Sequence, residues 1–219
     1  MISSFFILET EVLKGLKTMN KILIFVITLF LFSCNSSEPA YSKLSENGVI
    51  LAFGDSLTYG TGAAPENSYP AQLSKLSGHT VINAGIPGEI SQDGLGRLPR
   101  LLDKHNPELL ILIHGANDIL RKMPLEVAQS NLEAMVALAQ QRNIKVLLLG
   151  VPKFNILVLN SASFYKQVAE AYKVPVDLET LPSIISQSSL KSDMVHPNSD
   201  GYAVMAENIF KWLKKEGAL

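Results

Sequence analysis

The chain has 219 residues, 47% of them apolar, and a formal net charge of −1 from 19 basic and 20 acidic side chains. That length suits one domain of ordinary size plus a tail, and the near-neutral balance offers nothing electrostatic to a nucleic-acid partner. Four histidines without an HExxH spacing, and a single cysteine, argue against the usual zinc centres.

Residues 22–32 form an apolar run preceded by Lys21 and followed by Ser33 and Cys34. The run is short for a membrane span, which needs about 20 residues. A basic start, a short apolar core and a small residue before a cut fit an export signal. Leu31-Phe32-Ser33-Cys34 resembles a bacterial lipobox, although Phe32 departs from the small or β-branched residue usual there. The resemblance implies cleavage before Cys34 and a lipid on its sulfur. An ordinary secretory signal and an uncleaved anchor are the alternatives. Met19-Asn20-Lys21 fits a translation start better than Met1, because it sets the basic end directly before the apolar run. The expected division is a signal and lipobox region over 1–34, a flexible tether over 35–47, and one catalytic domain over 48–219.

From residue 49 onward strand-like and helix-like segments alternate. Compact apolar runs at 49–53, 80–83, 108–113 and 145–149 read as buried strands. A short fifth at 174–177 contains Pro175, which suggests an edge or a strand start. Between them, Leu95, Leu98, Leu101 and Leu102 suggest a helix interrupted early by Pro99. Residues 124–142 place Val127, Leu132, Met135, Val136 and Leu138 on roughly one face. Residues 200–215 do the same with Tyr202, Met205, Ile209, Trp212 and Leu213, and Asn198 or Ser199 is available as N-cap. Residues 153–165 give no readable pattern. Near-continuous apolar strands alternating with helices indicate a parallel sheet covered on both faces, with ligands beyond the carboxyl ends of the strands.

Four polar segments fall at those ends. Gly54-Asp55-Ser56-Leu57-Thr58 follows the first strand, and Asn83-Ala84-Gly85-Ile86-Pro87-Gly88 the second. Gly115-Ala116-Asn117-Asp118 follows the third, and Asp193-Met194-Val195-His196-Pro197-Asn198 precedes the last helix. A serine hydroxyl becomes a useful nucleophile only when a base takes its proton. His196 is the available base, and a tight Asp-x-x-His turn lets Asp193 meet its Nδ1–H and leave Nε2 for Ser56. Gly88 offers an unobstructed backbone N–H and Asn117 a side-chain amide, as an oxyanion hole requires. Each is equally read alone as a turn glycine and a loop asparagine. Asp55, Asn83 and Asp118 are expected to brace loops, and His114 to pack at a strand end or to support the site from behind. The loop after the third block is read either as acyl-pocket lining, through Ile119 and Leu120, or as an ordinary connection.

Taken in order, the four segments resemble the SGNH (GDSL) hydrolase family over about residues 49–216, with 94–102 resembling its bacterial thioesterase, lysophospholipase and arylesterase group. The resemblance implies a three-layer, flavodoxin-like α/β sandwich of about five parallel strands with helices on both faces. It implies Ser56, His196 and Asp193 as the triad, and Ser56, Gly88 and Asn117 as oxyanion donors. It further implies hydrolysis of carboxylic esters or thioesters through an acyl-serine, with no metal or organic cofactor. A carbohydrate O-acetyl esterase is the alternative within the family, and a non-catalytic lipid-binding lipoprotein the alternative outside it. The α/β-hydrolase pattern G-x-S-x-G is absent around Ser56. Gly94-Leu95-Gly96 lacks the third glycine of a dinucleotide loop.

Overall fold

The computed structural model describes residues 40–153 and 160–219. Cys34, the export signal and the start of the tether therefore lie outside the described residues. Among the described residues five strands make one parallel sheet: β1 (Val49–Gly54), β2 (Thr80–Gly85), β3 (Leu109–Ile113), β4 (Lys145–Leu149) and β5 (Val176–Asp177), in the order β2-β1-β3-β4-β5. The apolar runs account for this arrangement. Every side chain of β3 is fully buried, as are Ile50, Leu51, Ala52 and Phe53 of β1. Each such side chain withdrawn from water stabilises by about 1.5–3 kcal/mol, and only a sheet covered on both faces hides them all.

The strand order sets where the helices lie. From β1 the chain crosses to β2 on one side, then returns over β1 to β3, β4 and β5 on the other. Right-handed crossovers therefore send the first connection to one face and the later ones to the opposite face. The first connection carries α1 (Ser56–Tyr59) and α2 (Tyr69–Ser77); the later ones carry α3 (Ser91–His105), α4 (Ala116–Leu120), α5 (Leu125–Gln140) and α6 (Ser163–Tyr172). Accordingly α3 packs on α5 and α5 on α6. After β5 come α7 (Thr180–Ser186) and α8 (Ser199–Lys215), with α8 packed against α2 and α7. Asn198 caps α8, accepting from Gly201 N–H at 2.9 Å.

Several sequence expectations need correction. Pro99 does not interrupt α3 but sits inside it. Burial of Leu98 and Leu102 on either side of it offsets the roughly 3 kcal/mol that an internal proline costs. Val127 is exposed while Leu132, Met135 and Val136 are buried, so the inward face of α5 begins later than the pattern suggests. The fifth strand is two residues long. Part of the expected tether is docked on the domain. Leu44 is buried, Tyr41 N–H and Leu44 N–H donate to the carbonyls of Glu216 and Ala218, and the Tyr41 hydroxyl donates to the Val146 carbonyl. Helices α2, α6 and α7 have no counterpart in the sequence reading. Among the described residues no helix is long and apolar enough to cross a membrane.

Candidate active site

Register aligns the carboxyl ends of the first three strands. Gly54 pairs with Gly85 on one side and with Ile113 on the other, so the loops after β1, β2 and β3 emerge side by side. Strand order reverses between β1 and β3, the place where open parallel sheets bind ligands. Ser56 opens α1 just beyond β1, and Asn117 lies in α4 just beyond β3. Buried Asp55 is the N-cap of α1, its Oδ1 accepting from Leu57 N–H at 3.1 Å. Asn83 ties the β2 end back to this turn, donating to the Tyr59 carbonyl at 3.2 Å and accepting from Gly85 N–H at 3.0 Å. Both do the bracing expected of them.

His196 arrives from the loop before α8. Its Nε2 lies 2.9 Å from Ser56 Oγ, and its Nδ1 lies 2.7 Å from Asp193 Oδ2. The other carboxylate oxygen, Oδ1, accepts from Val195 N–H and His196 N–H, both at 2.8 Å. One Asp193 oxygen therefore shapes the turn and the other orients the ring. Burial raises the Asp193 pKa, but bonds from the His196 ring and from the two backbone N–H groups outweigh it and hold the carboxyl below its ordinary value. With Nδ1–H donated to Asp193, Nε2 is free to accept the serine proton.

An open cleft of about 250 Å³ lies over Ser56, bordered by Gly88, Asn117, Leu120, Val195 and His196. Gly88 has φ of 80°, a conformation that favours glycine, and its carbonyl accepts from Arg121 Nη2 at 2.7 Å. Asn117 Nδ2 donates to the Glu89 carbonyl at 3.0 Å and makes a longer contact of 3.4 Å with Asp55 Oδ2. Of the two loop residues read as possible acyl-pocket lining, Leu120 borders this cleft. Ile119 does not; it is packed against the core. Asp118 accepts from Ser91 N–H at 2.9 Å and Ser91 Oγ at 2.6 Å, pinning the start of α3 to α4.

The sequence reading missed Glu89 and gave Arg97 and Arg121 no role of their own, while His114, expected to pack or to support the site from behind, does the latter. Glu89 is buried beside His114 and Arg97. Its position directly after the candidate oxyanion glycine was the available signal. Among the described residues, no group of three or more His, Cys, Asp or Glu side chains is placed to hold a metal ion.

The site stands in a known context. Residues 52–204 match the GDSL-like lipase/acylhydrolase family model. An arylesterase from Vibrio mimicus is 33% identical over 200 residues, which cover 87% of this chain and 98% of that one. Thioesterase 1/protease 1/lysophospholipase L1 of Escherichia coli is 30% identical over 178 residues, 76% of this chain and 82% of that one. The crystal structure of psychrotrophic esterase EstA from Pseudoalteromonas sp., inhibited by monoethylphosphonate, superposes with a TM-score of 0.67 at 28% identity, covering 77% of this chain and 100% of that one. With its five-stranded parallel sheet and its four motif loops gathered at the carboxyl end of that sheet, the chain belongs to the GDSL-like lipase/acylhydrolase family and is an SGNH-type ester hydrolase.

Proposed function

We propose that Ser56 is the nucleophile of an exported carboxylic-ester hydrolase that acts on esters with an apolar acyl group. The observation that carries this reading is the unbroken chain from Ser56 Oγ to His196 to Asp193, at 2.9 and 2.7 Å, on the floor of an open cleft. In the reaction His196 Nε2 takes the Ser56 proton as Oγ attacks the substrate carbonyl carbon. The carbonyl π electrons move onto oxygen, and Ser56 N–H, Gly88 N–H and the Asn117 amide stabilise that oxyanion. When the tetrahedral intermediate collapses, the bond to the leaving oxygen or sulfur breaks and His196 returns the proton to it. Water, deprotonated by the same imidazole, then hydrolyses the acyl-serine and restores the free enzyme.

Leu57, Pro87, Ala116, Leu120 and Val195 give the cleft an apolar lining. Met194, Ile86 and Leu120 are exposed hydrophobics on or beside the loops that border it. Both features support an acyl chain as the recognised part, in keeping with the arylesterase and thioesterase/lysophospholipase relatives. The run at 22–32 followed by Cys34 supports export, with lipidation of Cys34 as membrane attachment. Hydrolysis of p-nitrophenyl esters of increasing chain length tests the substrate reading. Turnover that rises beyond acetate is expected; a preference for acetate supports instead an O-acetyl esterase. Ser56→Ala is expected to lower kcat by several orders of magnitude, and near-normal turnover in the folded variant overturns the mechanism. Mass spectrometry of the mature N-terminus tests the anchor, which an unlipidated terminus would exclude.

A further inference from the structure

Behind the cleft lies a buried ionic cluster that the hydrolytic steps do not use directly. Arg97, from α3, meets the Glu89 carboxylate with a two-pronged grip: Nε lies 2.6 Å from Oε1 and Nη2 lies 2.6 Å from Oε2. The same Nη2 donates to the carbonyls of Gly54 and Ala84, at 3.1 and 2.9 Å, and the guanidinium stacks 4.2 Å from the Phe53 ring centre. On the other side, His114 Nε2 lies 3.0 Å from Glu89 Oε2. His114 Nδ1 accepts from Gly115 N–H at 3.0 Å, so the ring proton sits on Nε2 and is donated to Glu89. The carboxylate is thus tied to the ends of β1, β2 and β3 at once.

Stability alone gives little reason for such a cluster, because burying ions costs desolvation that apolar residues of equal volume avoid. The main chain of Glu89 supplies a reason. It directly follows Gly88, and its carbonyl accepts from Asn117 Nδ2 at 3.0 Å. One residue therefore joins the backbone of one oxyanion donor to the side chain of the other. That bond also uses one Asn117 N–H and leaves the second, in a long 3.4 Å contact with Asp55, as the one available to a substrate oxygen.

We infer that Glu89, clamped by Arg97 and His114, is the positioning residue that holds Gly88 N–H and the Asn117 amide in one oxyanion geometry. This rests on the reading of Gly88 and Asn117 as oxyanion donors. Displacing a reacting geometry by about 1 Å costs on the order of 100-fold in rate, and a hole serves the transition state more than the bound substrate. Loosening Glu89 therefore lowers kcat and leaves KM nearly unchanged.

The test is steady-state hydrolysis of p-nitrophenyl butyrate by the full-length protein and its variants. Glu89→Gln is expected to lower kcat by roughly 10- to 100-fold with KM changed by less than about threefold. Glu89→Asp, which retains the charge, is expected to recover part of that loss. In the pair Glu89→Gln with Asn117→Ala, the double variant is expected to lose clearly less than the product of the two single effects, because the part of the Glu89 effect that runs through Asn117 is already gone while the part that runs through Gly88 remains. An unchanged kcat in Glu89→Gln, a loss carried by KM, or multiplication of the two single effects overturns the inference. Should Glu89→Gln fail to fold, Arg97→Lys, which keeps the charge and loses the two-pronged grip, enters the same cycle with the same expectations. If Asn117→Ala lowers kcat by about 10²–10³ and the Glu89 and Arg97 variants do not, this inference alone falls. If Asn117→Ala leaves kcat intact, the oxyanion reading falls and takes this one with it.

Discussion

Asp193 shows how much one carboxylate arranges at this site. Its Oδ1 gathers two backbone N–H groups and its Oδ2 the imidazole, so the turn and the ring orientation are set together. An asparagine there keeps the size but presents an N–H or a weaker acceptor to Nδ1, and the favoured tautomer changes. Asp193→Asn is expected to reduce kcat by about 10³–10⁴ with the fold retained; a loss under tenfold in the ester assay would remove Asp193 from its orienting role. The motif loops made Ser56, Asp193 and His196 legible, because a triad needs a nucleophile, a base and an orienting acid of defined types. Glu89, Arg97 and Arg121 were not legible. Their roles depend on which carbonyls and carboxylates they reach across the fold, and residue type alone carries no record of that.

Elements follow their apolar pattern where the pattern is long and uniform, and depart from it where packing is dense. Gly94 shows the departure. It lies within α3, where glycine costs about 1 kcal/mol against alanine, yet an added Cβ would stand 2.3 Å from His114 Nε2. The helix passes too close to the β3 end for any side chain at this position. Gly94→Ala is therefore expected to lose about 1–2 kcal/mol net through overpacking, seen as a Tm lower by a few degrees. A Tm that rises would mean helix propensity outweighs the contact. Helices α2, α6 and α7 were illegible for a related reason. They are 9, 10 and 7 residues long, and Pro182 lies within the last of them. Such segments are not stable helices alone; the burial of Leu73, Val168 and Ile184 among others holds them.

At the scale of the molecule, three carboxylates among the described residues are held below their usual range. For Glu89, burial raises the pKa, but bonds from His114 and Arg97 outweigh it. Glu108 is lowered by bonds from the Ser45 side chain and backbone, which also dock the N-terminal segment, and Asp193 by His196 and its turn. A folded state with lowered pKa values binds fewer protons than the unfolded chain near those groups' ordinary values of 4.5 and 3.8. The stability they contribute is thus complete above those ordinary values and is lost as pH falls below them, through the lowered values of the folded state. Asp55, raised by burial against the lowering influence of His114 and its hydrogen bonds, works in the opposite sense. The three lowered carboxylates contribute a drop in Tm from about pH 5 to pH 3, which Asp55 opposes. Glu89→Gln is expected to make that drop shallower, as melting curves across the range would show; an identical slope would remove Glu89 from the balance.

The run of buried strands, their number and direction, and the residue types that make up the chain Ser56–His196–Asp193 were determined by the sequence itself. Hydrophobic periodicity is a local property, and acyl transfer admits few residue types. Tertiary structure alone decided which helices complete the layers, that Leu120 and not Ile119 meets the cleft, and that Glu89 lies between Arg97 and His114. Those outcomes depend on the strand order and register that align Gly54 with Gly85 and Ile113. Partners such as Arg97 and the Gly54 carbonyl, 43 positions apart in the chain, become neighbours only when the sheet forms.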